Sequence, residues 1–209
     1  PRVAALTTTI LDQLRQIVGA DRVLTDADSA RNYGLDWTRV YEPTPAAVVL
    51  PGSIGEVQAL VRLAARENLA IVPSGGRTGL SAGAVACAGE LVLALDRLNQ
   101  IEDFDPVDRT VRCGAGVITE QLQLYASEHD LFYPVDFASS GSSQIGGNIS
   151  TNAGGIKVIR HGMTRDWVAG LKLVTGTGEV LDLNRGLVKN NAGYDLRQLV
   201  IGAEGTLGV

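Results

Sequence analysis

The sequence predicts an α+β protein made of two small α/β subdomains, the second with a mainly antiparallel mixed sheet. Two observations carry that prediction. Residues 46–73 run strand, helix, strand, an order that makes the first sheet partly parallel. Residues 171–183 hold two apolar segments around a Gly-Thr-Gly turn, the mark of an antiparallel hairpin. A third observation concerns function. Glycine makes up 25 of the 209 residues, about 12% against a usual share of roughly 7%, and it gathers in three patches: residues 75–83, 141–155 and 202–208.

The first element is a helix, with Leu6, Ile10, Leu14, Ile17 and Val18 at helical spacing and Gly19 where a C-terminal cap belongs. Residues 26–41 are polar and aromatic with little periodicity and read as irregular. Residues 46–50 (AAVVL) form a short buried strand ended by Pro51 and Gly52. Ser53 and Glu56 then make a capping box, and Val57, Leu60, Val61 and Ala64 follow as the inward stripe of a helix. Residues 70–73 (AIVP) form a second strand, which runs straight into the first glycine patch. Further strands are expected at 91–95, 110–113, 131–133 and 199–201, and a helix at 118–128. The expected division is an N-terminal helical segment (1–44), a first subdomain (45–105) and a second (106–209). The chain stops inside the third glycine patch, so the expectation is an N-terminal fragment lacking a C-terminal substrate domain.

Composition removes several classes. The chain is 45% hydrophobic and carries 18 Lys+Arg against 23 Asp+Glu, a net charge of -5. That balance is too apolar for disorder and of the wrong sign for a nucleic-acid surface. No apolar run is long enough to cross a membrane. Cys87 and Cys113 are too few for a disulfide framework, and with only His129 and His161 no zinc-ligand spacing arises. No metal site and no secretion signal are expected, and the default compartment is the cytoplasm.

Two phosphate motifs are tested first. A Walker A loop needs a Gly-Lys pair, and the sequence has none. Gly114-Ala-Gly116 stands between a strand and a helix, but Thr119 occupies the third glycine position of a dinucleotide fingerprint, so it reads as an ordinary turn. The segment 73–83 (PSGGRTGLSAG) is more telling. It follows a buried strand, and its glycines let successive N–H groups point into one concavity, an anion-binding nest suited to a pyrophosphate. Arg77 adds charge, and Thr78 and Ser81 add hydroxyls.

Four segments, in order, carry a family resemblance: 73–83, 145–155 (IGGNISTNAGG), 162–166 (GMTRD), and 189–196 (KNNAGYDL) continuing to 202–208 (GAEGTLG). Over residues 45–209 the sequence resembles the PCMH-type FAD-binding domain of the vanillyl-alcohol oxidase superfamily, and in particular the D-2-hydroxyacid dehydrogenases of the D-lactate, glycolate and 2-hydroxyglutarate type. The resemblance implies non-covalent FAD. Ser74, Gly75, Gly76, Arg77, Thr78, Gly79 and Leu80 would wrap its pyrophosphate. Pro134, Ser140, Gly141 and Ser143, then Ile145, Gly146, Gly147 and Asn148, would follow the flavin and ribityl region. Thr151, Ala153 and Gly155 would approach closely where a large side chain would collide, and Glu204, Gly205 and Val209 would lie by the adenosine end. Asn148 and Asn152 suit turn capping equally well. Relatives that link flavin through a Ser-Gly-Gly-His loop have His where this chain has Arg77, which excludes attachment there.

Residues 189–195 read as scaffold, Arg165 and Asp166 as a structural ion pair, and no catalytic residue is assigned. The resemblance places the substrate arginine, metal-binding histidines and acid/base residues in a C-terminal domain. The implied activity is oxidation of a D-2-hydroxy acid by hydride transfer to flavin N5, with an unassigned electron acceptor and a homodimer or partner subunit open. Two alternatives stand beside it: a reductase resembling UDP-N-acetylenolpyruvoylglucosamine reductase, and a non-catalytic FAD-binding module of a multi-subunit complex.

Overall fold

The computed structural model describes residues 5–209, so the first four residues of the expected N-terminal segment lie outside it. The first helix, α1, spans Thr8–Val18. Thr7 Oγ1 accepts from the N–H of Ile10, and Gly19, at φ 92°, ends the helix by donating to Arg15 O. A short 3-10 turn leads to β1 (Val23–Leu24). The stretch 26–41, read as irregular, holds a further helix, α2 (Ala27–Tyr33), whose N-terminus is capped by the Asp26 side chain accepting from Ser29 N–H. The helix has no buried residue, which is why apolar periodicity could not reveal it.

Strand β2 (Ala47–Val49) and helix α3 (Ile54–Glu67) follow as expected. Ser53 Oγ caps Glu56 N–H at 3.1 Å, while the Glu56 carboxylate reaches one residue further back than a capping box requires and accepts from Gly52 N–H at 2.7 Å. Strands β3 (Ile71–Ser74) and β4 (Leu91–Ala94) complete a four-stranded sheet in the order β1-β2-β4-β3. Strands β2, β4 and β3 are parallel, and β1 is antiparallel to β2.

Both faces of this sheet are covered, which accounts for the unbroken apolar runs of β2 and β4. On one face Ala47, Val49, Leu91 and Leu93 meet Ile10, Leu14 and Val18 of α1 and Val57, Leu60, Val61 and Leu63 of α3. On the other, Val48, Leu50, Val92 and Ala94 pack with Ala86 and against Tyr33. Leu60 is wholly buried, and such a side chain contributes about 1.5–3 kcal/mol of transfer free energy.

Beyond this sheet all strand pairing is antiparallel, as two separate hairpins. The first joins β5 (Ile101–Asp105) to β6 (Thr110–Cys113), and the second joins β7 (Leu171–Val174) to β8 (Val180–Leu183). Helices α4 (Thr119–Glu128) and α5 (Ile145–Thr151) pack with the first hairpin around Val117, Leu122 and Ile145. Burial there pushes the Cys113 thiol up to about 11. It also raises the Tyr133 phenol, with the nearby Cys113 adding to the effect.

Two expected strands are absent. Residues 131–133 have no strand partner and instead turn the chain out of α4. Residues 199–201 belong mostly to a one-turn helix, α7 (Arg197–Val200), which follows another short helix, α6 (Val158–His161). Three apolar residues cannot distinguish a helical turn from a strand by periodicity alone. The Arg165–Asp166 ion pair is also absent. Arg165 donates from its guanidinium to Gln198 Oε1 and Ile201 O, and Asp166 accepts from Met163 N–H. Arg165 thus ties into the start of the third glycine segment, while Asp166 caps its own local turn.

Candidate functional site: a seam of three glycine loops

Strand β3 delivers the first loop. Ser74 is fully buried, and its hydroxyl lies 3.4 Å from Tyr33 O. Among the described residues, no backbone carbonyl accepts from the N–H groups of Gly75, Gly76, Arg77, Thr78 or Gly79. Five consecutive donors are therefore left unused by the protein's own main chain. Such a run, with Arg77 in the left-handed region at φ 57°, is the composition of an anion nest.

The loop is held at its middle and its far end. Arg77 Nη2 lies 3.0 Å from Asp96 Oδ1 and its Nη1 3.4 Å from Asp96 Oδ2, while the guanidinium stacks 4.7 Å above the Tyr33 ring. The charge expected to face phosphate is thus paired within the protein. Further on, Trp37 N–H donates to Gly79 O, and Ala82 N–H donates to the buried carboxylate of Asp36. Thr38 gives Asp36 two more bonds, from its hydroxyl at 2.6 Å and its N–H at 3.0 Å. Burial pushes the Asp36 carboxyl up, but these donors outweigh it and hold it below the ordinary carboxylate value. Leu80 stands well exposed beyond the nest.

The other glycine patches close on this loop. A Cβ on Gly76 would lie 2.2 Å from Ser142 O and 2.8 Å from Ser143 Cα, so no side chain fits where the first and second loops touch. At Gly75 the same position is 3.4 Å from Gln144 Oε1 and 3.8 Å from Gly147 Cα. From the third patch, the Gly205 Cβ position lies 3.3 Å from the Pro73 ring, and Glu204 Oε2 lies 3.5 Å from the Gly83 Cβ position. Gly202 and Glu204 donate main-chain bonds to Ile149 O and Ser150 O, and Val209 exchanges two with Val174. Three segments roughly 60 residues apart thus form one continuous seam.

Within the second loop the residues divide into two groups. Ser143 and Asn148 turn inward. The Ser143 hydroxyl is 2.7 Å from Thr119 Oγ1, which also accepts from Asn148 Nδ2 at 2.6 Å, and all three residues are buried. Ile145 and Pro134 are likewise buried, and Gly146 is fitted against Ala115, 2.6 Å from its Cβ position. Gly141 lies near Glu120, and the Ser140 carbonyl accepts from Glu120 N–H. Gly147, by contrast, has open space where a side chain would stand, and Thr151 is exposed with its hydroxyl on Gly147 O. Ala153 is fixed through its carbonyl by Thr164. A Cβ on Gly155 would fall 1.8 Å from Asp136 O. Asn152, at φ 48°, caps α5 and accepts from Arg165 N–H. Its role is the capping one.

Three contributors were not picked out from the sequence. Asp36 lay in the stretch read as irregular. Asp96 stood beyond a strand end with nothing to mark it. Gln144 lay between assigned neighbours. Its amide Nε2 is 3.3 Å from Asp96 Oδ1, and its Oε1 is the one buried side-chain atom without a hydrogen-bond partner among the described residues. Only the strand-end position of Asp96, one step past an apolar run that leads toward the loops, was a usable signal.

A dinucleotide fits this seam. Unused N–H donors suit its pyrophosphate, glycines leave room for close approach, and an unpartnered buried oxygen awaits a donor. Among the described residues no group of three or more His, Cys, Asp or Glu side chains is placed to hold a metal ion, and no helix is long and apolar enough to cross a membrane. A wider surface cleft of about 440 Å³, lined by Phe132, Lys157, Arg160 and His161, includes none of the nest residues.

Comparison with known proteins agrees with the geometry. Residues 45–184 match the FAD binding domain family, and the chain belongs to that family, whose cofactor is FAD. Its relatives are more particular. It is 62% identical over 199 residues to D-2-hydroxyglutarate dehydrogenase of Stutzerimonas stutzeri, covering 95% of this chain and 43% of that protein. It is 60% identical over 196 residues to the enzyme of the same name from Xanthomonas citri pv. viticola, covering 94% and 42%. The mitochondrial D-2-hydroxyglutarate dehydrogenase of Danio rerio is 40% identical over 188 residues, covering 90% and 35%. This chain therefore spans well under half the length of these relatives. Among solved structures, alkyldihydroxyacetonephosphate synthase superposes with a TM-score of 0.86 at 24% identity, covering 99% of this chain and 39% of that one. p-Cresol methylhydroxylase gives 0.72 at 19%, covering 96% and 41%. Together with the family match, these two show the α+β, PCMH-type FAD-binding fold.

Proposed function

We propose that this chain is the FAD-binding part of a flavin-dependent dehydrogenase that oxidises a D-2-hydroxy acid, D-2-hydroxyglutarate first among the candidates. The observation that carries the cofactor assignment is the run of five uncommitted N–H donors at Gly75–Gly79, walled by the second and third glycine loops. The substrate class is supported by the identity to dehydrogenases of that name. Bound FAD supplies the hydride acceptor, and the protein's task is to hold, orient and seclude it.

The chain's own residues divide that task. The nest donors at Gly75–Gly79 would hold the pyrophosphate by oriented dipoles, without a facing cation. Gly76 and Gly155 let main chains touch where any side chain would force the loops apart. Asp36 and Asp96 fix the loop from behind, through Ala82 and Arg77. Glu204, Gly205 and Val209, from the third glycine segment, would flank the other end of the dinucleotide. Attachment would be non-covalent. His129 stacks on Phe104 and Tyr125, and His161 meets Phe132 edge-on, so both rings are engaged with aromatic neighbours. The residues that recognise the hydroxy acid would lie in sequence corresponding to the remaining length of the relatives. We assign the protein to the cytoplasm.

The test is an absorbance spectrum of the purified full-length protein, taken before and after reconstitution with FAD. Bands near about 375 and 450 nm, generic to oxidised flavin, should survive gel filtration and be released on denaturation. D-2-hydroxyglutarate should bleach them faster than D-lactate or glycolate. Protein that stays colourless after reconstitution overturns the cofactor assignment. Bound flavin that none of the three acids bleaches overturns the substrate class.

A further inference from the structure

We infer that Gln144 is a cofactor-binding residue whose amide oxygen accepts a hydrogen bond from a hydroxyl or ring N–H donor of bound FAD. The inference rests on FAD occupying the glycine seam.

The side chain is fixed by its surroundings. Gln144 is 94% buried, its backbone is bridged to Ile118, and its carbonyl accepts from Asn148 N–H. Its amide meets Asp96, whose carboxylate is paired with Arg77 and offers only acceptors. The NH2 end must therefore face Asp96 and the oxygen must face away. That oxygen then lies 3.4 Å from the point where Gly75 would carry a Cβ, with no hydrogen-bond partner among the described residues. A side chain at position 75 would stand in van der Waals contact with that oxygen. Native proteins rarely leave a buried polar atom unpaired, so a ligand donor is the expected partner.

The chemistry limits what the partner can be. At neutral pH a pyrophosphate presents acceptors only, so Gln144 cannot serve it. The oxygen marks the place where a part of the cofactor carrying hydroxyl or N–H groups passes the seam, beside a nest suited to the phosphates. Two parts of FAD meet that description: the flavin with its ribityl chain, and the adenosine.

Gln144→Met keeps the size and removes the acceptor. In the full-length protein stripped of flavin, fluorescence titration should show FAD binding about tenfold more weakly to the variant, the usual worth of one hydrogen bond. The ligand-free melting temperature should change little, because removing an unpartnered buried carbonyl offsets the lost bond from the amide to Asp96. If the donor belongs to the flavin–ribityl half, FMN loses the same factor and ADP is unaffected. If it belongs to the adenosine half, ADP loses it and FMN does not. Should Gln144→Met fail to fold, Gln144→Asn, which withdraws the amide by one carbon, carries the same expectation. Equal FAD affinity in wild type and variant overturns the inference, with or without a change in melting temperature. Wild-type protein that binds no FAD overturns instead the reading on which the inference rests.

Discussion

Arg77 and Asp96 form an ion pair across the first sheet's end, with Arg77 in the left-handed region at φ 57° and its guanidinium carbon 4.7 Å from the Tyr33 ring centroid. A non-glycine residue in that conformation costs about 1–2 kcal/mol. A partly desolvated cation–π contact returns about 0.5–2 kcal/mol, so side-chain partners, not backbone preference, hold the turn. The cation sits behind the nest, and Asp96 also orients Gln144 of the second loop. One carboxylate thus couples two loops that are more than 60 residues apart in sequence.

Freeing Arg77 should change how FAD binding responds to salt. In the wild type the pyrophosphate would be held by dipoles, and affinity should depend weakly on ionic strength. Asp96→Asn leaves a cation beside the nest with no counter-charge and loosens the loop. We expect affinity about tenfold below wild type at 1 M salt, where the Debye length is about 3 Å, and a smaller gap at 0.01 M. Fluorescence titration across that range checks this. Parallel salt dependences would show that Arg77 stays paired elsewhere.

Gly76→Ala should abolish FAD retention and lower the melting temperature. Its methyl would stand 2.2 Å from Ser142 O, main chain that cannot step aside without parting the two loops. Gly55→Ala is the matched control. Gly55 lies in the first turn of α3, with nothing nearer than Ser53 Oγ at 3.8 Å. Alanine is the better helix former by up to about 1 kcal/mol, so this variant should be slightly stabilised and retain flavin. Differential scanning fluorimetry with and without FAD separates the two.

Ser53→Ala should cost about 1 kcal/mol, the usual worth of an N-cap. Helix α3 carries much of the main core, and Ser53 Oγ satisfies Glu56 N–H at its start. Urea unfolding should show a lower midpoint and an unchanged slope. An unchanged midpoint would mean that the Glu56–Gly52 bond caps the helix alone.

The sequence made some features legible because their physics is local. Helix α3 announces itself through Ser53 and the stripe from Val57 to Ala64, and the β7–β8 hairpin through its glycine turn. The seam was legible as composition, in three separated glycine patches that suggested loops converging on one ligand. Residues whose meaning is tertiary could not be read. Asp96 matters because Arg77 and Gln144 converge on it from loops before and after it. Ser143 and Asn148 looked like ligand-facing polar residues, but Thr119, from another helix, turns both inward. Helix α2 buries no residue, so it left no periodicity to find.

The buried carboxylate of Asp36 should make the first loop acid-sensitive. Its pKa is held below the ordinary carboxylate value by Thr38 and Ala82, despite the opposing effect of burial. A carboxylate with a depressed folded pKa stabilises the fold fully above its unfolded pKa of about 3.9, and that stabilisation is lost as pH falls through the folded value. Wild-type stability, followed by urea unfolding from pH 6 to pH 3, should therefore decline on the acid side. Asp36→Asn turns an amide donor toward groups that themselves donate, so it should be less stable at pH 6 and decline less steeply below pH 4. FAD should dissociate from the variant at neutral pH as it does from the wild type in acid, because both lose the bond that pins Ala82. If the two acid-side slopes coincide, the acid sensitivity belongs to other carboxylates and Asp36 acts only through its shape.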